Sequence, residues 1–130
     1  MGLEKDTQDV FEKVLFTFEQ LKDTLLLLRN DWKEESPYKQ SYVDLPMSFI
    51  NEYINTLNVV LRNKNYSKKA MDGINQSIGN FTRNFDNPFF ETDKSELIES
   101  LISDLMDSRR SLDKLLKDCE TQSNVSDNDV

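Results

Sequence analysis

Apolar residues recur every three or four positions through the first quarter of the chain, which is the pattern of an amphipathic helix. No glycine or proline interrupts this pattern between Glu4 and about Lys33. The alternating spacing is that of a heptad seam and predicts a long helix packed along other helices. The residues of this heptad seam are Phe11, Val14, Phe18, Leu21, Leu25, Leu28 and Trp32.

A second helix is predicted after a short connector. Ser36-Pro37 ends the first helix, because a proline ring disfavours the α conformation in the residue before it. Asp44 is predicted to be the N-cap of the second helix, with Pro46 in its first turn. The helical spacing of apolar residues then continues to about Asn63.

The rest of the chain predicts two further helices and a tail. Ser67 is predicted to cap a third helix, which Asp86-Asn87-Pro88 ends. Asp93 with Glu96 makes a start like a capping box for a fourth helix. Residues 121–130 are too polar to pack and are predicted to form a disordered acidic tail.

Four amphipathic segments joined by short connections predict an all-α fold, with a single domain over residues 1–120. The chain has only three glycines and three prolines, too few turn formers for a fold of many short strands. We expect an antiparallel up-and-down four-helix bundle, and the alternative is a long helical hairpin that dimerises. Heptad patterns of this length do not separate a monomer from a homodimer.

The chain is acidic, with 24 Asp and Glu against 16 Lys and Arg and a formal net charge of −8. Residues 1–35 hold nine acids and five bases, residues 88–130 hold eleven and five, and residues 36–87 hold four and six. This balance disfavours sequence-independent binding to nucleic acid or to anionic lipid. A protein partner is therefore expected, and in one alternative that partner has a basic surface.

Residues of common catalytic and metal sites are missing from the sequence. The chain has no histidine, and its single cysteine, Cys119, can form neither an internal disulfide nor a cysteine-rich zinc site. We predict no enzyme activity, no cofactor and no metal site. No basic leader and no apolar run of about 18 residues is present, so a cytoplasmic protein without a membrane span is expected. Frequent Asn and Lys with a single alanine are typical of a low-GC bacterium or its phage.

The first two candidate binding residues are side chains that the heptad seam does not explain. Phe16 and Leu27 lie eleven residues, or three turns, apart and project from the side of the first helix opposite the heptad seam. Either this helix is buried on two faces, or these residues form a patch for a partner helix. The other candidates are the aromatic residues Trp32, Phe89 and Phe90 and the orienting acids Glu12, Glu19 and Asp23.

Missing catalytic residues and surplus apolar surface together favour a non-enzymatic protein-binding module, such as an inhibitor, immunity protein, antitoxin, adaptor or chaperone. One alternative is an acidic decoy that mimics nucleic acid and blocks a basic binding protein. A second alternative is weak nucleic-acid binding at the turn between the second and third helices. The candidate residues of this turn are Arg62, Lys64, Tyr66, Lys68 and Lys69.

Overall fold

The computed structural model describes residues 2–85 and 92–128, with side-chain detail for residues 3–85 and 92–119. Helix α1 spans Gly2–Glu35, α2 spans Gln40–Arg62, α3 spans Lys68–Asn84 and α4 spans Ser95–Asn128. A 3-10 turn at Pro37–Lys39 connects α1 to α2. The described residues contain no strand, so the predicted all-α class is confirmed.

The hydrophobic core is built along α1, which packs against both α2 and α4. All seven residues of the predicted heptad seam are buried. Helix α3 packs closely against α4 but touches α2 over a much smaller area. The other helices supply the remaining core residues, including Ile50 and Leu57 from α2, Ile78 and Phe81 from α3, and Leu105 and Leu112 from α4.

Side-chain contacts fix the positions of neighbouring helices relative to one another. Arg29, near the end of α1, donates from Nε to Oδ1 of Asp44, near the start of α2, at 2.9 Å. The ring of Phe18 lies 5.4 Å from the ring of Tyr53, centroid to centroid. Such contacts between distant residues in the chain hold α2 in register with α1.

The start of α2 differs from the prediction. The helix begins at Gln40, so Asp44 lies inside it and is not its N-cap. Pro46 also lies inside the helix, where it removes the donor that would bond to the carbonyl of Tyr42. Tyr42 is exposed, so water can satisfy that carbonyl and the helix tolerates the proline. The Asp44 carboxylate accepts from Arg29 instead of capping the helix.

Helix α4 is longer than the sequence predicts. Its backbone stays helical to Asn128, through most of the residues predicted to form a disordered tail. No glycine or proline occurs after Pro88, so no residue in this stretch strongly disfavours a helix that has already formed. Helical backbone therefore continues past the predicted boundary at residue 121.

Within the described part of the chain, no helix has both the length and the apolar character that crossing a membrane requires.

Candidate protein-binding surfaces

The outer face of α1 exposes large apolar side chains to solvent. Phe16 is 63% exposed and Leu27 is 59% exposed. The interpretation in which α1 is buried on two faces is therefore wrong. We call these two residues the α1 patch.

Three exposed carboxylates surround the α1 patch. Glu12 and Glu19 lie about one turn before and after Phe16, and Asp23 lies one turn before Leu27. Glu12 also accepts a hydrogen bond from Nε2 of Gln8 at 2.9 Å. Lys13, one turn before Phe16, is exposed as well, so the α1 patch is an apolar surface whose rim is acidic on balance.

Trp32, the third candidate on α1, is a core residue. It is 5% exposed, because it occupies the last position of the heptad seam one turn after Leu28. Lys39 Nζ lies 5.7 Å from the centroid of the Trp32 ring. In this conformation the indole is unavailable to a partner. The candidates Phe89 and Phe90 lie outside the described residues.

The basic turn between α2 and α3 does not present its aromatic residue for stacking. Tyr66 is half-buried, with its ring centroid 6.1 Å from that of Phe11 in the core. Lys64 has a φ of 52°, in the left-handed region, where the chain reverses between the two helices. The four basic residues of the turn, Arg62, Lys64, Lys68 and Lys69, occupy exposed positions. These side chains reach the surface, whereas Tyr66 packs against the core.

The structure contains a second apolar surface that the sequence analysis did not identify, a groove between α2 and α3. One part of this groove is a cavity of about 260 Å³, which we call the Phe49 cavity. Leu45 stands at its edge and is 64% exposed. The apolar residues that line the Phe49 cavity are Leu45, Pro46, Phe49, Tyr53, Phe81 and Phe85.

A second cavity lies further along the same two helices. This Val60 cavity has a volume of about 460 Å³. Small side chains line its α3 wall, including Ala70, Gly73 and Ser77, while Thr56 and Val60 line its α2 wall. Because these α3 residues add little volume, α2 and α3 do not close on each other here. The two cavities together form the α2–α3 groove.

Charge near the α2–α3 groove is mixed, with a cation beside each cavity and the Glu52 carboxylate near Tyr53. Lys69 lines the Val60 cavity. Asn80 lines the Phe49 cavity and accepts a hydrogen bond at 3.1 Å from Nη2 of Arg83. Burial, and secondly the nearby carboxylate of Glu52, raise the pKa of the Tyr53 hydroxyl above its usual value. Each cavity therefore has a cation within reach.

The sequence does carry a signal for this groove. Tyr38, Tyr42, Leu45 and Phe49 recur at the spacing i, i+4, i+7 and i+11, and all four are exposed. The rings of Tyr38 and Tyr42 meet edge to face at 6.5 Å. Tyr42, Leu45 and Phe49 form a second apolar stripe on α2, and Tyr38 extends it into the preceding 3-10 turn. In the sequence this stripe is obscured by the buried stripe through Ile50 on the same helix.

Among the described residues, no group of three or more cysteine or carboxylate side chains is placed to hold a metal ion. Comparisons of the chain with protein-family models, with curated proteins and with solved structures found no match.

Proposed function

We propose that this chain is a non-enzymatic protein-binding module that acts by covering apolar surface on a partner. The supporting observation is that Phe16, Leu27 and Leu45 stay in solvent although the core around α1 is closed. Burying a Leu or Phe side chain yields about 1.5–3 kcal/mol. A partner that covers several of these side chains gains that free energy on binding.

The geometry supports helix-in-groove recognition as the mode of binding. The α2–α3 groove would accept apolar side chains from a partner helix, and the α1 patch would enter a groove of the partner. Exposed acids around the α1 patch would steer and orient the encounter. Inhibitors, immunity proteins, antitoxins, adaptors and chaperones all act by binding of this kind.

We place these surfaces on an antiparallel up-and-down four-helix bundle, in a cytoplasmic protein of a bacterium or phage. The contacts Arg29 to Asp44 and Phe18 to Tyr53 support opposite directions for α1 and α2. The residue numbers fall along α1 as they rise along α2.

Affinity capture with matched variants tests the function. The wild-type chain, a double variant Phe16→Gln and Leu27→Gln, Leu45→Gln, and the control Leu97→Gln serve as baits in lysate of the source organism. Leu97 is 52% exposed and lies on α4, which supplies no residue of the α1 patch and none of the lining of the α2–α3 groove. We expect one protein to be captured stoichiometrically by the wild type and the control. At least one surface variant should capture about tenfold less, as expected for loss of a major apolar contact.

Capture of nothing, or equal capture by every bait, would contradict the proposed function. A retained protein is identified by mass, and nuclease treatment excludes a nucleic-acid bridge between it and the bait.

A second candidate function, the acidic decoy, is favoured by the exposed positions of Glu12, Glu19 and Asp23. A decoy complex depends on charge and weakens steeply between about 0.05 M and about 0.5 M salt. An apolar interface changes little over that range. Amide replacement of the three acids should abolish decoy binding and only slow the association of an apolar complex.

A further inference from the structure

The α1 patch and the α2–α3 groove match in length. Phe16 and Leu27 are eleven residues apart on α1, and Phe49 and Val60 are eleven residues apart on α2. Both spacings correspond to about 16 Å along a helix axis. Phe49 lines one cavity of the groove and Val60 lines the other. The two apolar side chains of the patch are therefore as far apart as the two cavities.

Both cavities are large enough for these side chains. Their volumes are about 260 Å³ and about 460 Å³. An apolar cavity of about 150 Å³ already admits a benzene-sized group. Phe16 and Leu27 therefore fit either cavity, so the match does not require one particular helix direction.

The charges of the two surfaces are complementary. Three acids, Glu12, Glu19 and Asp23, surround the α1 patch against one base, Lys13. Two bases, Lys69 and Arg83, lie beside the two cavities against one carboxylate, that of Glu52. The surrounding segments have the same signs, with nine acids and five bases in residues 1–35 against four acids and six bases in residues 36–87. An acidic helix with two apolar side chains about 16 Å apart is thus the ligand that the groove fits.

We propose that the α1 patch of one copy of this chain docks in the α2–α3 groove of a second copy. In this arrangement the patch and the groove of one copy contact different neighbours, so the contact is heterologous, and each copy both donates a helix and accepts one. Such contacts extend into rings or open chains of subunits and do not stop at a two-fold dimer. The inference rests on the proposed function in one respect, because both require the α1 patch and the α2–α3 groove to be accessible to another protein molecule.

The weight-average mass of the purified full-length chain tests this association. Sedimentation equilibrium is run from about 10 µM to about 1 mM, the range in which a small interface is expected to associate. We expect the mass to rise from 15.2 kDa past that of a dimer as concentration increases. A mass that stays at the monomer value throughout would overturn the proposal.

Two variants each remove one half of the contact. The double variant Phe16→Gln and Leu27→Gln loses the patch, and Gly73→Leu fills the Val60 cavity. A Cβ at Gly73 meets nothing within 4 Å, and leucine is the better helix former, so Gly73→Leu should fold. We expect each variant to weaken association at least about tenfold. The control Leu97→Gln should associate like the wild type, and equal loss in the control would overturn the assignment.

Mixing the two variants gives the decisive result. The patch-deficient variant keeps an intact groove, and the groove-filled variant keeps an intact patch. We expect the mixture to form a one-to-one dimer that grows no further, while each variant alone stays monomeric. A mixture that remains monomeric, although the wild type associates, would show a different interface and overturn the proposal.

This experiment uses purified chain alone, so its failure leaves the capture of another protein untouched. Conversely, a failed capture together with self-association would refute the proposed function and keep this inference.

Discussion

Helix α2 has one closed side and one open side, and the difference lies in the helix that it faces. On the closed side, Ile50 and Leu57 are fully buried in the core built along α1. On the open side, Leu45 and Phe49 border a groove whose α3 wall includes Gly73. An apolar stripe thus becomes core only where the facing helix supplies enough volume to meet it. Substitutions on the closed side and on the open side should therefore differ in their effect on the free energy of unfolding.

The largest difference in unfolding free energy is expected when a large apolar side chain is truncated in the core and at the edge of the groove. Leu25→Ala removes a fully buried side chain of the heptad seam and should lower the free energy of unfolding by about 2–5 kcal/mol. Leu45→Ala, at the edge of the groove, should change it by no more than about 0.5 kcal/mol. Urea unfolding measures both values. Comparable losses would mean that the groove is part of the core.

Replacing each of the two glycines of α3 by alanine should change the free energy of unfolding by different amounts. Gly73→Ala places a Cβ in open space and should raise the free energy of unfolding by about 1 kcal/mol. Gly79→Ala places a Cβ 2.8 Å from Cζ of Arg109, so the guanidinium must move and the gain should be smaller. Thermal unfolding of the two variants checks the order. A larger gain at Gly79 would contradict it.

The buried side of α4, as far as the structure describes it, carries one hydroxyl group without a hydrogen bond. Ser108 is buried, and its Oγ has no hydrogen-bond partner among the described residues. Ser108→Ala removes that hydroxyl and should raise the free energy of unfolding by about 1 kcal/mol. The control Ser111→Ala makes the same replacement at an exposed position of α4, which accounts for the gain in helix propensity. No excess over the control in chemical unfolding would refute the prediction.

The smallest effect concerns alkaline pH at the edge of the groove. Because the pKa of Tyr53 is raised by burial and by Glu52, the folded chain keeps this proton at pH values where the unfolded chain loses it. Stability should therefore fall as pH rises above the usual pKa of 10.0. Tyr53→Phe should reduce this loss between about pH 9 and about pH 11, measured by urea unfolding. An unchanged loss would show that Tyr53 does not contribute.

Helix positions and the buried face of α1 could be predicted from sequence, since both depend on local periodicity. The N-cap at Ser67 is an example: its Oγ accepts a hydrogen bond from the backbone N of Ala70 at 3.1 Å. The start of α2 could not be predicted, because Asp44 suits both an N-cap and an ion pair. Its pairing with Arg29 depends on how two helices lie together.

The candidate surfaces were only partly predictable, for a similar reason. Periodicity placed Phe16 and Leu27 opposite the heptad seam but did not say whether another helix covers that side. The same periodicity placed Trp32 in the heptad seam, which accounts for its burial. The α2–α3 groove depends on the distance between two helices, and no pattern within a single helix encodes that distance.

The open side of α2 also determines which helices separate most easily in local opening of the fold. Separating α1 from its neighbours would break extensive contacts with both α2 and α4, whereas α2 and α3 share only a small contact. We therefore expect opening between α2 and α3 to require less free energy than separating α1 from its neighbours. Amide hydrogens facing the groove should exchange with solvent sooner than those along the heptad seam, and an incoming helix can enter without global unfolding.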